Sequence, residues 1–178
     1  GFTFTVAPSN SVAGNLIPAS TTYYWTSPTY ENNTPGVMSG GTGSVLSPST
    51  ITGQINNTSN ARYYTLYSVR PSTALCQGAL FNVYVYIDPN PIIYAMSTVI
   101  CNGPFVFSPA QGVNNQIVPV NTIFTWGVPL TSTTQLTGGA AGSQINTITG
   151  SLNNASSTTQ TAVYTVVPSY NTCTGSPF

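Results

Sequence analysis

Few residues in this sequence could take part in acid–base or nucleophilic chemistry. Among its 178 residues, only Arg62, Arg70, Glu31 and Asp88 carry a formal charge, and the sequence has no histidine and no lysine. Catalysis of either kind needs a positioned base or a paired acid. Glu31 lies in an Asn- and Pro-rich stretch and Asp88 precedes a proline, so nothing indicates a glycosidase-like pair of carboxylates. We therefore expect that the protein is not an enzyme.

The three cysteines, Cys76, Cys101 and Cys173, are the remaining candidates for covalent or metal chemistry. Their spacing lacks the Cys-x-x-Cys pairs that are typical of zinc sites. Calcium needs six or more oxygen ligands, usually with several carboxylates, which two separate acids do not provide. The glycine-rich stretches at 40–43 and 138–142 precede no basic residue, so we expect flexible loops there rather than phosphate-binding loops. No metal and no cofactor are expected.

Exposed aromatic rings are the candidates for ligand recognition. Tyrosine offers a rigid apolar face and a hydroxyl group, which suits stacking and hydrogen bonding to sugars. Solvent-facing tyrosines are also common on β-sheets that bind nothing, so both interpretations stay open. The candidate glycan contacts are Tyr24, Tyr30, Tyr84, Tyr86 and Tyr170.

The low charge also restricts the possible partners. A surface with so few charges exerts little electrostatic attraction on nucleic acid or on anionic membranes. No apolar run approaches the roughly 20 residues that a membrane-spanning helix needs. We expect no nucleic-acid binding and no membrane insertion by this chain.

The chain consists of two copies of one module. Residues 164–178 match residues 67–81 without a gap, with Tyr, Val, Pro, Ser, Cys, Gly and Phe at identical spacing. Such self-similarity is the signature of a tandem repeat. The Asp-Pro-Asn-Pro segment at 88–91 is expected to be a stiff, extended connector. We predict two domains, at 1–91 and 92–178.

Strand patterns and turn residues alternate along both copies. Residues 2–6 and 81–87 alternate apolar with polar residues, and no stretch has helical spacing. A central Trp, followed after a long loop by a Tyr-x-Val strand, matches the layout of the immunoglobulin fold. We predict an all-β protein with two tandem immunoglobulin-like Greek-key β-sandwiches. The residues expected in the two cores are Tyr23, Trp25, Tyr67, Val69, Phe124, Trp126, Tyr164 and Val166.

Several motifs follow one another in a characteristic order: Tyr-x-Val-x-Pro, Cys-x-Gly, alternating valines, Pro-x-Pro and then Ile-Cys-x-Gly at the start of the second copy. In this order the chain resembles the PKD-like immunoglobulin-fold repeats of SprB-type adhesins, giant surface proteins of gliding Bacteroidetes. The resemblance implies export by the type IX secretion system and display outside the cell at the outer membrane. It also implies a role in gripping polysaccharide or solid surfaces.

A disulfide is the favoured state of cysteines in an exported β-sandwich. In an immunoglobulin-type sandwich the first strand begins at the end where the loop between the last two strands lies, so we expect Cys101 beside Cys173. Cys76 would lie a domain length from Cys101, whereas bridged Cα atoms are about 5.5 Å apart. We predict a Cys101–Cys173 disulfide and, by the same offset, a partner for Cys76 before Gly1. We also expect the second copy to lack its last strand, the equivalent of residues 82–87.

The sequence favours a structural role in adhesion. We expect a repeat segment of a large cell-surface adhesin fibre, acting as a spacer and display module that supports surface adhesion and gliding motility. The expected partners are neighbouring repeats of the same chain and a polysaccharide or solid surface. Two alternatives remain: a pair of carbohydrate-binding modules of a secreted enzyme, or a self-assembling filament subunit that receives its missing strand from a neighbour.

Overall fold

Alternation of apolar and polar residues along the sequence produces a molecule whose regular structure is nearly all β-strand. The structure is a computed structural model, which describes residues 1–12, 14–33 and 36–178. These residues divide into two units, Gly1–Ile87 (unit 1) and Asp88–Phe178 (unit 2).

Helical structure is almost absent from the residues that the structure describes. Two three-residue 3-10 turns, at Glu31–Asn33 and Val113–Asn115, are the helical segments there. Neither has the length or the apolar character needed to span a membrane. Each unit consists of antiparallel β-sheets over an apolar core. The predicted all-β class, with two tandem immunoglobulin-like sandwiches, is confirmed.

The described strands of unit 1 are β1 (Phe2–Val6), β2 (Thr22–Trp25), β3 (Thr29–Tyr30), β4 (Met38–Gly40), β5 (Ile51–Asn57), β6 (Tyr63–Ser72) and β7 (Phe81–Ile87). One sheet has the order β1-β5-β4. In the other sheet, β6 pairs with β2 and β3 along one edge and with β7 along the other edge. Because β6 lies between strands on both sides, it is the central strand of this sheet.

The described strands of unit 2 are β8 (Gly103–Phe107), β9 (Ile123–Trp126), β10 (Leu130–Thr131), β11 (Leu136–Gly138), β12 (Gly142–Ile145), β13 (Ile148–Asn154), β14 (Ala162–Val163), β15 (Val166–Tyr170) and β16 (Cys173–Thr174). The sheet β8-β13-β11 repeats the order of β1-β5-β4. A second sheet has the order β12-β9-β15-β16, and β10 pairs with β14. Together, β14 and β15 take the place of β6.

The two units repeat one strand register. Phe4 of β1 lies opposite Gly53 of β5, and Phe105 of β8 lies opposite Gly150 of β13. In each unit the phenylalanine ring also packs against the tyrosine of the Tyr-x-Val motif, with 5.4 Å between ring centroids. A side chain on either glycine would collide with the phenylalanine ring, so this position requires glycine in both units.

Each unit has its own cluster of buried apolar side chains, centred on a tryptophan and the Tyr-x-Val strand. Burial of such side chains is the main source of stability of a β-sandwich. The unit 1 cluster comprises Tyr23, Trp25, Met38, Ile51, Ile55, Tyr67, Val69, Val83 and Ile87. The unit 2 cluster comprises Ile93, Phe124, Trp126, Ile148 and Val166, with Tyr164 partly buried against it.

The glycine-rich stretches, expected to be flexible loops, are segments packed against the tryptophan of their own unit. Trp25 Nε1 donates a hydrogen bond to the Thr42 carbonyl at 3.0 Å, and Trp126 Nε1 donates to the Ala140 carbonyl at 3.2 Å. The first glycine of each stretch has φ of +91°, and a side chain there would meet a carbonyl oxygen of the adjacent strand. Glycine is needed there for close packing and a left-handed backbone.

The Asp-Pro-Asn-Pro segment, expected to be an extended connector, packs within unit 2. Pro89 and Pro91 are both fully buried. A side chain on Gly175 would collide with the carbonyl oxygen of Pro91, so the segment lies directly against the end of β16. Residues 88–93 therefore form the leading segment of the second sandwich.

Candidate functional site

The two carboxylates of the chain belong to different units, and each accepts a local hydrogen bond. Glu31 in unit 1 accepts from the backbone amide of Tyr64 at 3.1 Å. Asp88 in unit 2 accepts from the side-chain amide of Asn171 at 3.2 Å. Among the described residues there is no group of three or more metal-ligating side chains. These contacts are typical of carboxylates that stabilise loops and strand ends.

Cys76, Cys101 and Cys173 form no disulfide within the part of the chain that the structure describes. Cys101 lies two residues before the start of β8, and the side chain of its neighbour Asn102 accepts a hydrogen bond from the Asn154 backbone amide at 2.7 Å. Cys173 instead lies in β16, after the end of β15. Cys76 is exposed, and its partner before Gly1 stays a prediction.

Cys101 and Cys173 lie at opposite ends of the β14 and β15 segment, which corrects the predicted pairing. The loop after Asn154 leads into β14, so Cys101 lies where this segment begins and Cys173 where it ends. At about 3.3 Å per residue, the eight steps from 162 to 170 span about 26 Å, whereas bridged Cα atoms lie about 5.5 Å apart. The prediction assumed that β8, the strand after Cys101, is the first segment of the second sandwich. Residues 88–93 precede β8 and already belong to unit 2.

Three tyrosines form a cluster on the solvent face of unit 1, which we call the tyrosine cluster. Tyr64 lies opposite Tyr86 in the β6–β7 register, and Tyr84 is its diagonal neighbour. The ring centroids are 5.4 Å apart for Tyr64 and Tyr84 and 5.6 Å apart for Tyr64 and Tyr86, with edge-on geometry in both pairs. Tyr84 and Tyr86 are 51 % and 63 % exposed. Edge-on pairing holds the rings in place and leaves apolar surface open to a ligand.

The outer face of the same sheet is polar beyond the cluster. Ser68 Oγ donates a hydrogen bond to Asn82 Oδ1 at 3.2 Å, on neighbouring strands. Tyr24 lies on this face, opposite Arg70. Arg70 is six positions from Tyr64 along β6, which corresponds to about 20 Å of strand. Tyr24 is therefore exposed on the same surface but lies apart from the tyrosine cluster.

Like Tyr24, the predicted glycan contacts Tyr30 and Tyr170 do not belong to the cluster. Tyr30 lies opposite Thr65, an inward-facing position of β6, and its hydroxyl donates to the Gly40 carbonyl at 2.6 Å. Tyr170 lies half-buried at the end of β15 in unit 2. Alternation in β3 turns Thr29 outward and Tyr30 inward, which explains why Tyr30 lies away from the cluster.

Tyr64 belongs to the cluster but is not among the predicted glycan contacts. The signal was present in the alternation of β6, because Thr65, Tyr67 and Val69 point inward and Tyr64 must then point outward. The cluster exists only in unit 1 among the described residues. The position equivalent to Tyr64 in unit 2 is occupied by a threonine, Thr161.

A buried tyrosine hydroxyl occurs at the same place in both units. The hydroxyls of Tyr67 and Tyr164 have no hydrogen-bond partner among the described residues. Burial raises the pKa of Tyr67 to about 12, and the nearby Tyr30 phenol adds to this effect. Burial also raises the pKa of Tyr164. Both groups therefore keep their protons at neutral pH and serve as core side chains rather than as bases.

A large apolar groove lies in each unit, and we call the two the unit 1 groove and the unit 2 groove. Their volumes are about 690 Å³ and about 710 Å³. The unit 1 groove is lined by Leu16, Ile17, Tyr23, Pro71, Cys76 and Phe81. The unit 2 groove is lined by Phe105, Leu136, Leu152, Tyr164, Val166 and Phe178. Neither set of lining side chains includes a titratable pair suited to acid–base catalysis.

A family model described as the PKD-like domain matches the chain twice, over residues 5–91 and 98–178. The two matches together cover nearly the whole chain, and one falls mainly on each unit. No curated protein and no solved structure matches the chain. The repeated architecture of the two units agrees with the double match.

Proposed function

Because the chain belongs to the PKD-like domain family, we propose that it is a repeat segment of a large cell-surface adhesin fibre, in which it acts as a spacer and display module. PKD-like domains are structural modules, usually extracellular and typically non-catalytic. The observation that carries the proposal is the repetition itself. The same strand register and the same glycine contacts are built twice in succession.

The composition of the surface supports a passive, extended role. Arg62, Arg70, Glu31 and Asp88 are the only formally charged residues of the sequence, so the modules offer little for a charged partner to bind. The motif order that resembles SprB-type adhesins supports the finer proposal. In that proposal the fibre is exported by the type IX secretion system of a gliding bacterium, attached at the outer membrane, and used for adhesion and gliding motility.

An in-frame replacement in the parent gene tests the spacer role. The segment encoding residues 1–178 is deleted in one strain and exchanged for two unrelated immunoglobulin-like domains of similar length in another. Deletion should weaken adhesion and gliding, and the exchange should restore both, with surface amounts of the parent protein matched by immunoblotting. If deletion leaves adhesion and gliding unchanged, the spacer role is refuted.

The tyrosine cluster supports a second candidate function, recognition of a neutral polysaccharide. Tyr84 and Tyr86 are more than half exposed, and Tyr64 fixes both rings by edge-on contact. Stacking on such rings needs no charge on either partner, which fits this sequence. The same cluster would serve a carbohydrate-binding module of a secreted enzyme, in which case a catalytic domain accompanies it in the parent chain.

Glycan-array binding separates the two functions. Specific binding that is lost in the Tyr84→Ser and Tyr86→Ser variants would assign recognition to unit 1. Tyr94→Ser is the matched control, because Tyr94 is 51 % exposed but belongs to unit 2. Absence of binding by the folded chain to neutral glycans would reject the second function and leave the spacer role.

A further inference from the structure

The beginning of β8 is attached to the end of β13 by a side-chain amide. Asn102 Oδ1 accepts a hydrogen bond from the backbone amide of Asn154 at 2.7 Å, and Asn102 Nδ2 donates to the Asn154 carbonyl at 3.4 Å. At this end, the β8–β13 ladder has its last backbone pair at Gly103 and Leu152. The side chain of Asn102 therefore extends the ladder beyond its backbone pairs, and we call its two hydrogen bonds the Asn102 clip.

Asn102 is also the only asparagine of the sequence that precedes a glycine. Because glycine has no side chain, its backbone nitrogen is poorly shielded. A Cβ atom on Gly103 would meet nothing within 4 Å apart from its chain neighbours, and Asn102 is exposed. When the strand end opens, the nitrogen of Gly103 can approach the side-chain carbonyl carbon of Asn102, and water can reach the product.

These two neighbouring groups permit a self-modification that consumes only water. The nitrogen of Gly103 forms a bond to Cγ of Asn102 and gives up its proton, while the bond from Cγ to Nδ2 breaks and ammonia leaves. The succinimide ring that results takes up one water molecule, which breaks a bond between the ring nitrogen and one of its two carbonyl carbons. Cleavage at Cγ gives aspartate, and cleavage at the backbone carbonyl carbon gives isoaspartate. Because the reacting groups belong to adjacent residues, the first step is intramolecular.

Either product is incompatible with the Asn102 clip. An ionised carboxylate only accepts hydrogen bonds, so it cannot donate to the Asn154 carbonyl and is repelled by that oxygen. Isoaspartate in addition lengthens the main chain by one carbon atom between residues 102 and 103. Both products add one negative charge to a chain whose formal net charge is 0.

We propose that Asn102 is a site of spontaneous deamidation in the folded chain, and that this modification releases the start of β8 from β13. The reaction proceeds through local opening of the clip, because the exposed end of a strand opens more easily than its buried middle. The modification accumulates with the age of the chain, since hydrolysis of the ring does not restore the amide. The inference depends on unit 2 alone and not on the adhesin fibre proposed above.

Asn10 in unit 1 is a matched internal control. Its side chain makes the same pair of hydrogen bonds to one residue, because Oδ1 accepts from the Ile17 backbone amide at 2.5 Å and Nδ2 donates to the Ile17 carbonyl at 3.0 Å. Asn10 is likewise exposed, but the residue that follows it is Ser11. Both asparagines are thus held by two hydrogen bonds, and only Asn102 has a glycine nitrogen beside it.

Incubation of the folded chain in mildly alkaline buffer, followed by peptide mapping with mass spectrometry, tests where deamidation occurs. Asn102 should deamidate at least about tenfold faster than Asn10, with aspartate and isoaspartate among the products. The Asn102→Ser variant should not acquire the additional charge at this rate. Deamidation of Asn102 no faster than that of Asn10 would overturn the proposal, as would an unchanged rate of charge gain in Asn102→Ser.

The additional charge also allows the modified chain to be separated by ion-exchange chromatography without unfolding. Hydrogen exchange at the Asn154 backbone amide should be about tenfold faster in the modified chain than in the unmodified chain. Exchange at the Ile17 amide should be the same in both, because the Asn10 hydrogen bonds are intact. Equal exchange at Asn154 in the two forms would mean that the clip survives the modification, and would refute the release of β8.

Discussion

Replacing Tyr67 by phenylalanine removes one buried hydroxyl group and keeps the ring that packs against Phe4. Tyr67 is fully buried, and its hydroxyl has no hydrogen-bond partner among the described residues. A buried polar group without a partner costs on the order of 1–3 kcal/mol. We therefore expect the Tyr67→Phe variant to be more stable than the natural protein at neutral pH, by about 1 kcal/mol.

The same substitution should remove a loss of stability at alkaline pH. The pKa of Tyr67 is raised from 10.0 to about 12 in the folded unit. Below pH 10 the Tyr67 phenol is protonated in both the folded and the unfolded chain. Between about pH 10 and 12 the unfolded chain loses this proton first, so the free energy of unfolding falls as pH rises. A shift of two pKa units corresponds to about 2–3 kcal/mol in the free energy of unfolding. The natural protein should lose this stability as pH rises, and the Tyr67→Phe variant should keep it.

Urea denaturation followed by tryptophan fluorescence measures both effects. A Trp126→Phe background leaves Trp25 as the reporter of unit 1, and the free energy of unfolding is compared at pH 7 and at pH 11.5. Tyr86→Phe is the control, since it removes an exposed phenol and should leave the unfolding free energy at pH 7 unchanged. If Tyr67→Phe destabilises unit 1 by 1 kcal/mol or more at pH 7, its hydroxyl has a partner and the reasoning fails.

Three further predictions concern packing and thiol access. Gly138→Ala should destabilise unit 2 by about 3 kcal/mol, because it combines a positive φ with a collision with a carbonyl, whereas Gly127→Ala in open space should change stability by less than about 0.5 kcal/mol in the same denaturation assay. Asn57→Ala should cost unit 1 about 3 kcal/mol of stability, and Asn154→Ala should cost unit 2 clearly less, because the side-chain amide of Asn57 donates to two carbonyls and that of Asn154, among the described residues, donates to one; equal losses would contradict this. Maleimide labelling followed by mass spectrometry should modify Cys173 only after unfolding, and rapid labelling in the folded chain would contradict its burial.

Much of the fold can be predicted from the sequence because each pattern of apolar and polar residues occurs twice, once in each copy. An apolar pair such as Phe124 and Trp126 matches Tyr23 and Trp25 in phase, and both pairs are buried in the structure. Period-2 alternation also predicts β7 with its correct bounds, because the valines of this strand point inward and its tyrosines point outward. Local pattern was sufficient here because each strand is half-buried.

Other features depend on strand order, which local patterns do not contain. The predicted disulfide assumed that Cys101 begins the first strand of its sandwich, but β8 pairs with β13 and residues 88–93 come earlier. The same segment carries two prolines, which indicate a connector, yet both prolines are buried in unit 2. Proline fixes the backbone in an extended form, which suits a packed edge segment as well as a linker.

The candidate site was only partly predictable for a similar reason. Tyr84 and Tyr86 were selected from the alternation of β7, whereas Tyr64 joins them through the register of β6 and β7. The orientation of Tyr30 could not be predicted in this way, because β3 has only two residues and is too short for its alternation to be recognised. Which rings meet on a sheet surface is decided by register and therefore by the turns between strands.

Display outside the cell is the central claim of the proposed function, and antibody labelling of intact cells tests it most directly. Antibodies raised against the chain are applied to living cells of the source organism, before and after treatment with an external protease. We predict labelling without permeabilisation and loss of the signal after protease treatment. Labelling that appears only after the cells are permeabilised would contradict the assignment as a surface-displayed repeat.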